Sequence, residues 1–276
     1  MKYIVVLTVI YEDYTVFFHN YESIVSQNKE IELRFVVVDN SKYPNSLYVD
    51  KLRDKKNIHY LRNHIVPKLK LKSNSFHHSL GLDLGISFIQ KSYQEVHSMI
   101  VIDPDYFVFG DNWISCLTNF MFENNYMIAG SPWAKRWTHK YKNFPCVQCM
   151  IIVGDLIPKL PSFAPINSKN YLLYHFWNLV YSNRYIQYLS KFFVNHVFDT
   201  GSQIFYNYRN KHNFVFTEIT LSELYQSDFF LNYSNFKFIL NAIEDVPGHL
   251  EVFRFNHFFT VHFRTFGNSI LSKSYS

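Results

Sequence analysis

Short runs of apolar residues, many of them β-branched and each ended abruptly by polar residues, dominate the first half of the chain. Nearly continuous runs of this kind are typical of strands that are buried on both faces of a sheet. The pattern predicts four strands, at residues 2–10, 33–38, 57–61 and 99–102.

Between these strands the apolar residues recur at helical spacing. Residues 13–27 and 78–90 show this period, and Asp13 is a candidate N-cap for the first helix. Strands that alternate with helices indicate a parallel sheet with crossover helices. We therefore predict an α/β fold of the nucleotide-binding type. Its ligands would lie at the carboxyl ends of the strands, where Asp39 and Asp103 fall.

The second half of the chain mixes the two patterns less regularly. It contains no internal repeat and no low-complexity linker, so one continuous domain over residues 1–276 is the simplest interpretation. The elements predicted here are helices at 111–122, 171–193 and 199–208, and strands at 126–130, 147–153, 214–216 and 258–262.

Composition narrows the class of protein. The chain is 48% hydrophobic and 18% charged, a balance that argues against long disordered regions. No apolar run approaches the ~20 residues that cross a bilayer, and the N-terminus lacks the layout of a signal peptide. Three cysteines fit a reducing compartment, so we expect a cytoplasmic protein. The net charge of +5 is too small for a nucleic-acid binder, and it suits anionic small molecules or an acidic membrane surface.

The sharpest local signal is the pair of carboxylates at Asp103 and Asp105. The pair follows a predicted buried strand, and side chains two positions apart in an extended segment share a side. Hard cations such as Mg²⁺ and Mn²⁺ prefer oxygen ligands and often complete their coordination with the phosphates of a substrate. A metal site is therefore one interpretation. The other is a plain turn, because Asp-Pro-Asp favours turns without any ligand.

Three segments follow predicted strands or open a predicted helix in a characteristic order. They are Val36-Val37-Val38-Asp39-Asn40-Ser41, His78-Ser79-Leu80-Gly81-Leu82-Asp83-Leu84-Gly85-Ile86 and Asp103-Pro104-Asp105. Their order and spacing resemble the nucleotide-sugar half of glycosyltransferase family 2, which has a GT-A-type fold. The resemblance covers residues 1–130 well and only short stretches of the remainder, and Asp83 stands where some members have Asn.

This resemblance implies a GT-A-type (Rossmann-like), mixed, mainly parallel sheet flanked by helices. Residues 1–130 would bind the nucleotide sugar, and residues 131–276 would form an irregular helical acceptor region. Asp39 would contact the base or ribose. A Mn²⁺ or Mg²⁺ on Asp103 and Asp105 would neutralise the departing nucleoside diphosphate as a Lewis acid.

Further residues are assigned to the same donor site. They are Thr8, His78, Asp83 and Arg264, together with Asp103. Capping of a helix is the alternative for His78. Arg264 would bind the diphosphate, because a guanidinium matches phosphate oxygens bidentately, and a surface salt bridge is its alternative. His262 is placed like the late histidine that many GT-A-type enzymes bring to the metal, with a packed core histidine as the alternative.

The acceptor half contains a candidate base and two candidate stacking residues. The resemblance implies an inverting transfer, which needs a general base, and Asp199 before a predicted helix would serve. Its alternative role is an N-cap, and Glu218 and Asp155 are lesser candidates for the base. Trp133 and Trp137 would stack on acceptor sugars, unless they belong to an ordinary loop.

The predicted function is transfer of a sugar from a nucleoside diphosphate sugar donor to a hydroxyl of a glycan or glycoconjugate. One rival is a sugar-phosphate nucleotidyltransferase, disfavoured because residues 8–13 contain neither glycine nor a basic residue. A second rival is a non-catalytic glycan-binding relative, disfavoured by the intact acidic motifs. The alternating segment at residues 68–72 suits a basic edge strand. Peripheral contact with the inner face of the membrane is the alternative for this segment.

Overall fold

The computed structural model describes residues 3–64, 74–132, 143–164, 200–225 and 250–263. Several sequence predictions lie outside these residues and stay predictions. They are the helix at 171–193, the basic segment at 68–72, and the site residues Trp133, Trp137, Asp199 and Arg264.

Eleven strands are described, and they form two sheets. They are β1 (Tyr3–Ile10), β2 (Leu33–Asp39), β3 (Ile58–Arg62), β4 (Val96–Ile102), β5 (Tyr106–Phe109), β6 (Ile128–Pro132), β7 (Pro145–Val153), β8 (Asn213–Val215), β9 (Thr217–Glu218), β10 (Leu250–Phe255) and β11 (Phe258–Phe263). The described α-helices are α1 (Tyr14–Gln27), α2 (Ser46–Arg53), α3 (Asn74–Ser92), α4 (Trp113–Glu123), α5 (Ser202–Tyr208) and α6 (Leu221–Tyr225).

The larger sheet has the strand order β3-β2-β1-β4-β7-β6-β8. Strands β1 to β4 pair in parallel, as do β6 and β8, whereas β7 is antiparallel to both β4 and β6. Helices α1 and α4 pack on one face of this sheet and α3 on the other. The predicted mixed, mainly parallel sheet flanked by helices is therefore confirmed.

The smaller sheet is antiparallel, with the order β5-β11-β10-β9. It joins a strand of the first half of the chain to the last described strands, and β6 to β8 extend the larger sheet beyond residue 130. Both sheets thus combine residues from the two predicted halves, and the single domain divided near residue 130 stays a prediction.

One edge of β5 is hydrogen bonded by side chains of α1. Gln27 Nε2 donates to the Val108 carbonyl (2.9 Å), and Gln27 Oε1 accepts from the Gly110 N–H (2.6 Å). Asn20 Nδ2 donates to the Tyr106 carbonyl (2.9 Å). Asn20 and Gln27 are two helical turns apart and therefore lie on the same face of α1. Because β11 pairs with the other edge, β5 is held between a strand and a helix.

Helix α3 lies very close to the larger sheet. A Cβ atom at Gly85 would stand 2.3 Å from a methyl carbon of Leu7, and one at Gly81 would stand 2.9 Å from Val9. Glycines four residues apart share a helix face. Because neither glycine has a Cβ atom, α3 can approach β1 closely. This approach brings the first turns of α3 to the carboxyl ends of the strands.

Some local predictions differ from the structure in detail. Asp13 is the N-cap residue of α1, and its carbonyl accepts from the Phe17 N–H (3.1 Å). Its side chain makes no capping bond, because its Oδ1 atom accepts from the Tyr11 N–H (2.7 Å). Helix α3 begins at Asn74, before the predicted start. The elements that were not predicted are α2, β5, β9, β10 and α6, all eight residues or shorter. Within the described ranges, no helix combines the length and apolarity that crossing a membrane requires.

Candidate metal and nucleotide site

The strand order has a topological switch point at the carboxyl ends of β1 and β4. From β1 the chain adds β2 and β3 on one side, and it then returns to add β4 on the other side of β1. Crossovers that leave in opposite directions open a ligand-binding crevice in an α/β sheet. Residues 11–13 follow β1 at this point, and Asp103 follows β4.

Three side chains converge beside this crevice. Asp103, Asp105 and His262 each offer one ligand atom, and these atoms lie within 4.8 Å of one another. His262 Nε2 lies 3.5 Å from Asp105 Oδ1. The side chain of Asp103 is 20% exposed and that of His262 is 6% exposed. The sequence predicted these three residues as metal ligands, and the structure brings them together.

The donor set fits a hard or borderline divalent cation. Two carboxylate oxygens suit Mg²⁺ and Mn²⁺, and an imidazole nitrogen is a ligand of transition metals. The ligand atoms come from the two ends of the β4–β5 turn and from β11, which pairs with β5 so that His262 lies opposite Tyr106. Because Asp103 is partly exposed, the cluster is open to solvent on that side.

Electrostatics at this cluster favour a cation. Burial raises the pKa of Asp103, and the nearby Asp105 carboxylate raises it further against the opposing effect of His78 and His262. Burial lowers the pKa of His262, but Asp105 and Glu251 outweigh it and raise this pKa to about 10. The His262 shift reflects the negative charge of the two carboxylates beside it, whereas the Asp103 shift reflects mainly burial. A bound divalent cation would stabilise the charged form of these carboxylates.

Asn20 of α1 holds the turn that carries the two aspartates. Its Nδ2 atom lies 3.2 Å from the carbonyl oxygens of both Asp103 and Pro104, in addition to its bond to Tyr106. The Asp103 N–H donates to the Gln148 carbonyl (2.9 Å). The sequence prediction missed Asn20, although a polar residue on the apolar face of a predicted helix was a usable signal.

His78 lies beside the cluster. Its Nε2 atom is 3.4 Å from Asp103 Oδ1, and its ring contacts that of Tyr11 edge-on at 6.4 Å between centroids. The close approach of α3 to the sheet places it there. His78 was assigned to the donor site, and the structure puts it within reach of any ligand bound at Asp103.

Asp39 is fully buried at the end of β2, and both of its carboxylate oxygens are hydrogen bonded. Oδ2 accepts from the hydroxyls of Tyr14 (2.8 Å) and Tyr60 (2.7 Å), and Oδ1 accepts from the Ser41 N–H (2.7 Å) and from Arg62 (3.2 Å). Burial and this carboxylate together raise the pKa of Tyr14 and Tyr60. In this arrangement Asp39 organises the ends of β2 and β3, and its predicted contact with a nucleotide stays a prediction.

Thr8 and Asp83 do not join the cluster. Thr8 is 2% exposed in the interior of β1, where it lines a small internal cavity with Asn20 and Ile102. Asp83 accepts hydrogen bonds from the Ser162 hydroxyl and from the Phe163 N–H, and burial raises its pKa. Asp83 thus ties α3 to a neighbouring loop. The donor contacts assigned to both residues stay predictions.

Two acidic residues near the cluster were not predicted as parts of it. Glu251 Oε2 lies 3.0 Å from His262 Nδ1. The pKa of Asp13 is raised to about 6, first by burial and then by the carboxylates of Asp105 and Asp103. A charged residue inside the apolar run 250–255 was the available signal for Glu251. Asp13 was interpreted only as a helix cap.

Comparisons with known proteins give structural neighbours alone. No family model matches the chain, and no curated protein matches it.

The mannosyltransferase PcManGT from Pyrobaculum calidifontis, in complex with GDP-Man and Mn²⁺, is 11% identical with a TM-score of 0.41, over 58% of this chain and 47% of that one. Residues 1–349 of TarS from S. aureus are 16% identical with a TM-score of 0.40, over 58% of this chain and 49% of that one. GalNAc-T7 with UDP, GalNAc and Mn²⁺ is 13% identical with a TM-score of 0.37, over 48% of this chain and 23% of that one. The chain therefore spans less than half the length of each of these structures.

Proposed function

We propose that this protein is a glycosyltransferase that takes a sugar from a nucleoside diphosphate donor bound in the crevice between β1 and β4. The observation that carries the proposal is the convergence of Asp103, Asp105 and His262 at the carboxyl end of β4. A cluster of this charge repels a diphosphate unless a cation lies between them, so metal and donor would bind as one unit.

Each residue of the site has a proposed task. Asp103, Asp105 and His262 would hold the cation, which supplies Lewis-acid neutralisation of the departing diphosphate. Asn20 keeps the turn between the two aspartates in place through its hydrogen bonds to the turn carbonyls. His78, beside Asp103, would contact the diphosphate. Arg264, two residues after His262 in the sequence, is proposed for the same task.

The imidazole of His262 favours Mn²⁺ over Mg²⁺ as the cation. Mg²⁺ demands oxygen ligands in near-ideal octahedral geometry, whereas first-row transition ions accept imidazole more readily. The sequence resemblance adds two features to the proposal, an inverting transfer and a glycan or glycoconjugate acceptor. Two more features are proposed from the sequence alone. They are stacking of the acceptor on Trp133 and Trp137, and peripheral contact with a membrane.

Nucleotide binding is expected to require the metal. In calorimetric titrations with UDP, GDP, ADP and CDP, one nucleotide should bind with micromolar affinity in the presence of Mn²⁺. Its affinity should fall by at least ~100-fold with EDTA, because the diphosphate then faces uncompensated carboxylates. The matching nucleoside, which has no phosphate, serves as the control and should bind equally with and without metal. A diphosphate that binds equally tightly in EDTA would contradict the metal-dependent site.

Substitution of Asp199 by asparagine is expected to separate chemistry from binding. If Asp199 is the general base, the rate of sugar transfer should fall ~10²–10⁴-fold, with the dissociation constant of the donor nucleotide nearly unchanged. Asp155→Asn is measured beside it, because Asp155 is the rival candidate for the base, and Asp111→Asn is the matched control, because Asp111 is an exposed aspartate with no assigned role. Full turnover by the Asp199 variant would remove the residue from the mechanism. A loss of turnover confined to Asp155→Asn would transfer the base role to Asp155.

A further inference from the structure

We propose that Glu251 is a positioning residue of the metal site, which holds the His262 ring so that its Nε2 atom faces the cation. This inference rests on the metal site of the proposed function and assigns a role to a residue that does not itself reach the cation.

The contact between the two side chains is direct and buried. Glu251 Oε2 lies 3.0 Å from His262 Nδ1, and the Glu251 side chain is 1% exposed. The opposite ring nitrogen, Nε2, lies 3.5 Å from Asp105 Oδ1. The imidazole therefore stands between two carboxylates, and each ring nitrogen faces a different one.

The geometry of the smaller sheet enforces this arrangement. His262 on β11 pairs directly with Tyr106 on β5 and with Glu251 on β10. Directly opposite residues of antiparallel strands point to the same face, so the three side chains form a row across three strands. The Tyr106 ring packs against the His262 ring, with 5.7 Å between centroids and 32° between planes. Packing on one side and a hydrogen bond on the other restrict rotation of the imidazole.

The hydrogen bond also decides which nitrogen can bind a metal. A histidine that ligates a metal uses an unprotonated nitrogen, and the proton on its other nitrogen commonly bonds to a carboxylate or carbonyl. When a cation replaces the proton on Nε2, an Nδ1–H that donates to Glu251 leaves the lone pair on Nε2, on the side of Asp105. A carboxylate partner also makes the ligating nitrogen more basic, which strengthens its bond to the metal.

Packing alone does not explain why Glu251 is buried. The residue lies in β10 beside Val252 and Phe253, which belong to apolar cores. Burial of a carboxylate is strongly unfavourable unless the carboxylate is paired. Its partner His262 is itself one of the three residues that converge. The pair is therefore better explained by orientation of a ligand than by stability of the sheet.

A double-mutant cycle on Mn²⁺ affinity tests the inference without any assay of activity. The free Mn²⁺ concentration is measured by electron paramagnetic resonance during titration of the wild type, Glu251→Gln, His262→Gln and the double variant. Glu251→Gln should weaken Mn²⁺ binding ~10–100-fold. The same substitution should have little further effect when His262 is already glutamine, because Glu251 acts through that ring. Glu123→Gln, at the exposed end of α4, is the matched control and should bind like the wild type.

Three results would overturn the inference. The first is an unchanged Mn²⁺ affinity in Glu251→Gln. The second is a loss of Mn²⁺ affinity that is equal with and without His262, which would indicate a simple effect of charge. The third is a wild type that binds no Mn²⁺. The last result would overturn the proposed metal site as well, whereas the first two would leave that site standing. Thermal unfolding of each metal-free variant shows whether it is folded. If Glu251→Gln does not fold, Glu251→Asp keeps the carboxylate one methylene further from the ring and should show an intermediate Mn²⁺ affinity.

Discussion

Asp103→Asn is expected to abolish measurable Mn²⁺ binding and, with it, metal-dependent binding of the nucleotide. Asp103 provides one of two carboxylates to the cluster, and an amide oxygen carries no charge to hold a divalent cation. The loss should exceed the ~10–100-fold that removal of an outer hydrogen-bond partner of a ligand typically causes. Sugar transfer should fall in parallel, because the leaving diphosphate would have no cation to balance it.

The measurement is a Mn²⁺ titration of the folded variant, followed by a nucleotide titration at saturating Mn²⁺. Asp111→Asn is the matched control, because Asp111 is an exposed aspartate just after β5. Substitution of Asp103 by asparagine also removes the repulsion between neighbouring carboxylates that contributes to its raised pKa. The metal-free variant should therefore be at least as stable as the wild type. A variant that binds Mn²⁺ and nucleotide normally would remove Asp103 from the site.

Asn20→Leu is expected to have the largest effect on stability, with a loss of ~2–4 kcal/mol in the free energy of unfolding. The substitution keeps the branched shape and the number of heavy atoms of the side chain but removes the donor to the carbonyls of Asp103, Pro104 and Tyr106. The Asp103 carbonyl still accepts from the Tyr106 N–H (3.1 Å). The carbonyls of Pro104 and Tyr106 lose the Asn20 donor, and a buried acceptor left without a partner costs ~1–3 kcal/mol, part of which relaxation recovers. Mn²⁺ affinity should fall as well, because the turn loses its fixed shape.

Chemical denaturation measures the first effect and a Mn²⁺ titration the second. Glu22→Gln serves as the control, because Glu22 is on the exposed face of the same helix. Full stability of Asn20→Leu would mean that the turn is held by its strands alone. Full Mn²⁺ affinity in a destabilised variant would mean that Asn20 supports the fold without shaping the site.

The sequence was sufficient to predict the larger sheet because its strands are continuous apolar runs that end at polar residues, as in β2 and β4. The short strand β5 was missed because four residues give too little periodicity to distinguish a strand from the start of a helix. Strand β10 was missed because Glu251 and Arg254 interrupt its apolar pattern, and only the paired sheet explains a carboxylate there.

Within the site, local motifs were enough to find Asp103 and Asp105, which are neighbours in the chain. His262 was found through the resemblance, and its approach to Asp105 depends on the pairing of β5 with β11. Asp39 shows what sequence reasoning cannot supply. Its position at a strand end was predictable, but its hydrogen bonds to Tyr14, Tyr60 and Arg62 come from two other elements, α1 and β3. Such contacts follow from tertiary packing, which no local pattern encodes.

The pairing of β5 with β11 also has a consequence for the order in which the protein is made. A nascent chain that has grown to residue 225 already contains all seven strands of the larger sheet and both aspartates of the turn. It contains neither Glu251 nor His262. During synthesis the two carboxylates therefore exist without their histidine, and the set of ligands is complete only after residue 262 has been added.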